Sequence, residues 1–375
     1  MRPSRIISAA TCLLLLGAAA PGAEKQSPTT PTTSPSEAGN ALAAARDNAL
    51  AWLTKNQAAD GSWGKTYKVA ITSFACLSYL GSSDEPFQAD GGKALVRGLG
   101  YLVSVQKDGQ FEHNHGNWIH GQGFATLALS EAYGRALLCK TKPDVDMQNV
   151  RAVVEKAVAV IAANQSNSGG WWYTPGNKAS HEGSTTVCTV QALVSADNYG
   201  IKIDRDVLDK GFEYLKKSQN KDGGFDYRLD NSPNTTSMKE GTAGGVATLG
   251  LMRKFDYTVM MNGYKFLLNI GPATISKGSF PYYGHFYGCM GMRLLGQEFK
   301  SLRGKLDEYA AGAKKDVLSW QGKDGSWPTK GWDSSGEGDA YGTAFATLIL
   351  LVDEGRLSIF NRKPPKLPAP AKATS

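Results

Sequence analysis

The side chains of this 375-residue chain that are equipped for chemistry gather in one recurring kind of segment. All five histidines, His113, His115, His120, His181 and His285, fall between the end of one expected helix and the early part of the next. Six of the eight tryptophans, Trp63, Trp118, Trp171, Trp172, Trp327 and Trp332, do the same. Aligned on the small residue at the centre of each apolar helix, His181, Glu240 and Asp339 occupy one equivalent position at the helix start. Glu182, Tyr341, His120 and, deeper along its helix, His285 are their neighbours. An acid and a base facing each other across a cavity mouth suit hydrolysis or elimination on a polar substrate. His181, Glu182, Glu240, His285, Asp339 and Tyr341 are therefore the catalytic candidates. An acid at a helix N-terminus also serves as a plain cap or dipole partner, and this explains Glu240 and Asp339 equally well.

Two further clusters call for a chemical reading. His113-Asn-His115 with His120 has the spacing of a zinc or copper site if a third ligand comes within reach. The intervening Asn114, Gly116 and Asn117 instead suit a polar surface loop, so neither metal nor cofactor is expected. The run Trp171-Trp172-Tyr173 offers rings for stacking on a sugar or lipid, although helix packing accounts for at least one of them. Asp144-Val-Asp146, framed by Pro143 and Met147, reads as a solvated connection.

The elements that position these residues are set by a repeat. Gln57-Ala-Ala-Asp-Gly-Ser-Trp63 and Gln321-Gly-Lys-Asp-Gly-Ser-Trp327 are nearly identical. Gln219 to Phe225, Gln165 to Trp171 and the shorter Gln106 to Phe111 are variants of them. Four residues before each Gln stands an aliphatic, Leu53, Leu102, Ile161, Leu215 or Val317, which the i, i+4 spacing places on the same helix face as the Gln. The glycine stops the helix, and the aromatic ring folds back onto its end. The Gln amide has enough donors to bridge that end to a neighbouring backbone. A sixth copy, the fifth repeat in chain order, is degraded, with Gly271 where Gln belongs and Gly278-Ser279-Phe280 as the remnant of the loop.

Between these loops run helices that are apolar nearly all round. They centre on Ala75, Ala125, Cys188, Ala247, Gly288 and Ala346, a period of about 54 residues. Helices apolar on every face are buried. Six outer amphipathic helices alternating with six inner ones form antiparallel pairs that can close into a double ring.

From about Leu42 to Phe360 this pattern resembles the QW repeat of the prenyltransferase and squalene–oxidosqualene cyclase superfamily. The resemblance implies an all-α fold, an α6–α6 double toroid of six helical-hairpin repeats with a central cavity. That toroid carries terpene cyclases, protein prenyltransferase β subunits, thioester-containing complement domains and cobalamin carriers, so it leaves the activity open. Cyclases of the hopene type protonate an isoprenoid with an Asp-x-Asp-Asp-Thr-Ala motif at an inner-helix start. Here His181-Glu-Gly-Ser-Thr-Thr186 keeps Thr185 but has Gly183 and Ser184 in place of the paired acids. Tyr283-Gly-His285-Phe-Tyr-Gly-Cys289 is similar to part of the prenyltransferase zinc site, without its matching Asp-x-Cys. The thioester sequence Gly-Cys-Gly-Glu-Gln occurs nowhere.

Residues 1–23 read as a secretory leader, with Arg2 and Arg5 before the apolar stretch Ile6 to Gly17. That stretch is too short for a membrane span. Residues 24–40 form a Pro/Thr/Ser linker, 41–361 the toroid and 362–375 a Pro/Lys/Ala tail expected to be disordered. The expected location is secreted or periplasmic. The formal charge of +7, or +5 without Arg2 and Arg5, is spread out, with no basic stripe for nucleic acid. Cys76, Cys139, Cys188 and Cys289 are expected as free thiols, because three of them fall in buried helices. The expected partners are a small hydrophobic or polar ligand in the cavity and an extracytoplasmic protein. The alternatives to an isoprenoid enzyme are a non-catalytic binding toroid and a polysaccharide-active α/α-barrel enzyme.

Overall fold

In the computed structural model, helices alternate between an outer and an inner ring. The structure describes residues 35–112, 118–229, 237–252, 255–331 and 338–368. Residues 1–34, which hold the expected leader and most of the linker, lie outside them. So do His113, His115 and Trp332 and the last residues of the tail.

The outer helices are α1 (Pro35–Lys55), α3 (Gly92–Ser104), α5 (Met147–Ala163), α7 (Arg205–Lys217), α9 (Tyr257–Ile270) and α12 (Arg303–Leu318). The inner helices are α2 (Lys68–Ser82), α4 (Trp118–Leu138), α6 (Gly183–Asn198), α8 (Lys239–Leu249), α11 (Pro281–Glu298) and α13 (Asp339–Leu351). A five-residue helix, α10 (Pro272–Ser276), sits in the degraded repeat, and β1 (Gln106–Lys107) with β2 (Gln110–Phe111) makes a short hairpin. Each inner helix packs against the next in the order α2, α4, α6, α8, α11, α13, and α13 packs against α2. The inner ring is thus closed, and residues from Asn40 onward form one unit. This is the α/α toroid that the repeat predicts.

The repeated loop explains how the rings are held together. Gln57 Nε2 donates to its own loop carbonyl at Gly61 (2.9 Å) and to Ala94 in the next outer helix (2.8 Å). Gln165 does the same with Gly169 and Val207, and Gln219 with Gly223 and Val259. Each indole folds back as expected: Trp63, Trp171 and Trp327 Nε1 donate to Leu53, Ile161 and Val317, the aliphatics four residues before the Gln. The same residues donate a backbone N–H to a threonine hydroxyl of the following inner helix, Thr72, Thr186 and Thr343. One motif therefore ties an outer helix, its inner partner and the next repeat. The loop glycine is required twice over: Gly223 has φ +91°, and a Cβ there would stand 2.5 Å from the Asn262 carbonyl of the next outer helix.

The degraded repeat uses a different stitch. Ser276 Oγ donates to Asp316 Oδ2 of α12 (2.5 Å) and lies 2.9 Å from His285 Nε2. All four described cysteines are buried free thiols.

The C-terminal segment closes one end of the ring. Leu357, Ile359 and Phe360 are fully buried. Ser358 donates through its N–H (2.9 Å) and hydroxyl (2.6 Å) to the buried Glu131 carboxylate of α4, which also accepts from Ser195 and Tyr199. Arg293 Nε of α11 donates to the Phe360 carbonyl, and Arg362 to the Gly250 carbonyl just past α8. These contacts fall at the C-terminal ends of the inner helices. No described helix is long and apolar enough to cross a membrane.

Candidate active site

With one end strapped shut, the ring is a cup whose mouth lies at the N-terminal ends of the inner helices. A cavity of about 620 Å³ opens there. Its wall is mostly aromatic and aliphatic: Phe74 of α2, Phe124 of α4, Val187 of α6, Tyr283 of α11, and Tyr341 and Phe345 of α13. Several of these rings touch one another, with Phe74 lying 4.4 Å from Phe124 and 4.2 Å from Phe345 between centroids. Apolar residues recur there because an inner helix is buried on both its outer-ring and its lumen side.

The polar side chains of the wall are fewer; His120, Glu182 and Ser184 meet between α4 and α6, while Lys68, Glu112, Asp226 and Glu240 stand elsewhere round the mouth. Glu182 caps α6. Its Oε2 accepts from Ser184 N (2.7 Å), and its Oε1 accepts from Thr185 N (2.6 Å) and Ser184 Oγ (2.7 Å). Burial raises the Glu182 pKa, and the hydrogen bonds from Ser184 and Thr185 oppose that rise without cancelling it. His120, on the first turn of α4, lies 3.1 Å from Ser184 Oγ through Nε2. Burial lowers the His120 pKa to about 4, so the ring is neutral at pH 7. Its ring lies 5.6 Å from that of Tyr173, whose hydroxyl is 2.6 Å from the Tyr227 hydroxyl. Burial raises both phenol pKa values, so these groups stay protonated donors. Asp226 and Glu240 also line the cavity. Glu240 Oε1 accepts from Phe280 N (3.3 Å), tying α8 to the start of α11.

The structure divides the sequence candidates. Glu182, Glu240 and Tyr341 line the cavity. His181 is buried behind the wall, with Nδ1 3.0 Å from the Tyr214 hydroxyl of α7. His285 is fully buried and faces Ser276 and Trp320 in the outer ring, not the lumen. Asp339 is exposed at the first turn of α13 and is not part of the cavity wall. Ser184, Tyr227 and Asp226 were not candidates. Ser184 was legible only as a substitution inside an acid motif. Tyr227 and Asp226, two residues and one after the loop aromatic Phe225, carry no signal of their own. Trp171 is consumed by repeat packing, Tyr173 lines the cavity, and Trp172 takes the Arg228 guanidinium on its face at 5.2 Å. Among the described residues there is no cluster of three or more metal-ligating side chains. The His113 and His115 half of the candidate metal site lies outside them.

No protein-family model and no curated protein matches the chain. Solved structures do match over most of its length. A variant of the type II terpene cyclase MstE from Scytonema, in complex with merosterolic acid A as product, aligns with a TM-score of 0.55 and 16% identity. That match covers 85% of this chain and 98% of the other. An inactive variant of the α-1,6-mannanase GH76A of Salegentibacter sp. HEL1_6, in complex with α-1,6-mannotetrose, aligns with a TM-score of 0.60 and 10% identity. There the coverage is 84% of this chain and 99% of the other. Both are α/α-toroid proteins, and identities this low carry the fold alone.

Proposed function

We propose that the chain is an exported member of the prenyltransferase and squalene–oxidosqualene cyclase repeat superfamily whose cup takes up an isoprenoid or similarly apolar small molecule. The observation that carries this reading is the cavity of about 620 Å³ at the N-terminal ends of the inner helices, its wall mostly aromatic and aliphatic with a few polar side chains. Its volume is that of a small-molecule site, and a few grouped polar side chains fix the orientation of an otherwise apolar ligand. The five glutamine loops support membership of the superfamily. The comparisons with solved structures support the toroid and leave the ligand to be identified. Glu182, with its pKa raised by burial, and neutral His120 are the acid–base pair between α4 and α6.

The test is a titration with a fluorescent isoprenoid alcohol, alongside mass spectrometry of an organic extract of the purified protein. Saturable uptake of one alcohol per chain is expected, displaced by unlabelled isoprenoid. Val187→Trp, which places an indole in the lumen, is expected to lose uptake while keeping its helical circular dichroism. Failure of the wild-type protein to bind any isoprenoid ends this reading. A second reading, a glycan-active enzyme, is favoured by four carboxylates on the cavity wall, Glu112, Glu182, Asp226 and Glu240. Release of reducing ends from an α-mannan, abolished by Glu240→Gln, would put it in place of the first.

A further inference from the structure

Ser184 stands where a carboxylate, an imidazole and the ligand cavity meet. Its hydroxyl donates to Glu182 Oε1 at 2.7 Å, and its oxygen lies 3.1 Å from His120 Nε2. With the hydroxyl proton committed to the carboxylate, the imidazole donates its Nε2–H to the same oxygen. Capping alone does not account for this arrangement. Glu182 already has the Ser184 and Thr185 N–H groups as cap donors, and His120 arrives from another helix, 64 residues away. Ser184 is half-buried and part of the cavity wall. The Tyr173 hydroxyl also interacts with Ser184 and is paired with that of Tyr227.

We propose that Ser184 is a nucleophile for acyl transfer, with Glu182 as its general base, acting on carboxylic esters whose apolar chain lies in the cup. This rests on the reading of the cavity as an apolar-ligand site. In the first step the Ser184 proton passes to Glu182 Oε1 as Oγ bonds to the ester carbonyl carbon. The carbonyl oxygen becomes an oxyanion beside the Tyr173–Tyr227 hydroxyl pair. The carbon–oxygen bond to the alcohol then breaks, and the alcohol leaves with the proton held by Glu182. Water repeats the sequence on the acyl-serine: its proton goes to Glu182, its oxygen bonds to the acyl carbon, and Ser184 departs and recovers a proton. The sum is ester plus water giving acid plus alcohol. A base with its pKa raised by burial accepts a serine proton more readily than an ordinary carboxylate.

The experiment treats the full chain with a long-chain alkyl fluorophosphonate. The Ser184 Oγ–P bond forms as the P–F bond breaks, fluoride leaves, and the proton goes to Glu182 and then to solvent. The expected result is one adduct by intact mass, mapped by peptide mass spectrometry to Ser184. Glu182→Gln should be labelled about 100-fold more slowly. Mapping the adduct in the wild-type protein does not depend on any variant folding. If wild-type protein binds the fluorescent isoprenoid alcohol yet leaves Ser184 unlabelled, or carries its label elsewhere, the nucleophile is overturned and the cup reading stands. If Ser184 is labelled but the alcohol is refused, the nucleophile stands and the apolar-chain reading falls. Equal labelling rates in wild type and Glu182→Gln remove Glu182 as the base.

Discussion

Gln321 donates its side-chain amide to the Ala45 carbonyl at 2.9 Å across 276 residues of sequence. It repeats between the last outer helix and the first what Gln57, Gln165 and Gln219 do between neighbours. Trp52 Nε1 reinforces the seam on Asp324 at 3.1 Å. The ring is closed by the same bond that builds it.

A glutamine stitch therefore tests closure. Gln321→Ala leaves the Ala45 and Gly325 carbonyls without their donor, and each buried unsatisfied group costs about 1–3 kcal/mol. We expect a loss of stability of that order by urea denaturation. The loss should come with faster amide exchange in α1 and α12 and unchanged exchange in α5 to α7. Exchange raised evenly around the ring would refute a local seam.

The loop glycines give a sharper test. Gly223→Ala demands a left-handed φ from alanine and sets its Cβ 2.5 Å from the Asn262 carbonyl. A loss of more than about 2 kcal/mol is expected, whereas Gly100→Ala, inside α3 with nothing within 4 Å of its Cβ, should gain about 0.4–1 kcal/mol. Similar midpoints for the two variants in chemical denaturation would contradict the packing described.

The rings were legible because they repeat. A Gln, a Gly and an indole recur at fixed spacing, and each performs one bond that its own repeat nearly determines. The cavity was legible only in outline. Helix alignment chose His181, yet α6 begins at Gly183 and its cap is Glu182, with extended backbone (φ −157°); one residue decides which side chain reaches the lumen. His285 was expected deeper in the ring beside the mouth candidates, but its position on α11 turns it outward to Ser276 and Trp320. The pairing of Ser184 with His120 depends on how close α4 and α6 approach. Gly123 governs that approach, since a Cβ there would touch Cys188 Sγ at 3.0 Å. No local pattern encodes such a distance.

The strap across the closed end hangs on Glu131. Glu131→Ala removes the acceptor of Ser195, Tyr199 and both Ser358 groups, and each buried donor left unsatisfied costs about 1–3 kcal/mol. Hydrogen exchange should rise first in residues 352–362, before the inner helices. Glu131→Gln, which keeps two-lone-pair acceptor capacity at one oxygen, should recover part of the loss. Protection of that segment unchanged in Glu131→Ala would rule out the strap's dependence on this carboxylate.

Acid should unfold the protein through its buried histidines. His285 is fully buried with Nδ1 unpartnered, and burial lowers its pKa to about 4 even though Asp316 works in the other direction. A histidine with a folded pKa below the usual 6.5 binds its proton more readily in the unfolded chain. Its contribution to stability is therefore present above 6.5 and is lost as pH falls from 6.5 through 4. His120 acts in the same sense. Glu131 and Glu182, raised by burial, act in the opposite one, so the wild-type slope alone does not isolate the histidines. The comparison with His285→Gln does. Each histidine contributes a slope of about 1.4 kcal/mol per pH unit inside the window. The gap between wild type and His285→Gln, read from urea midpoints, should accordingly narrow between pH 6.5 and 4.5 and stay constant above pH 7. A gap that is flat across that range would mean that the His285 pKa is the same in the folded and unfolded chain.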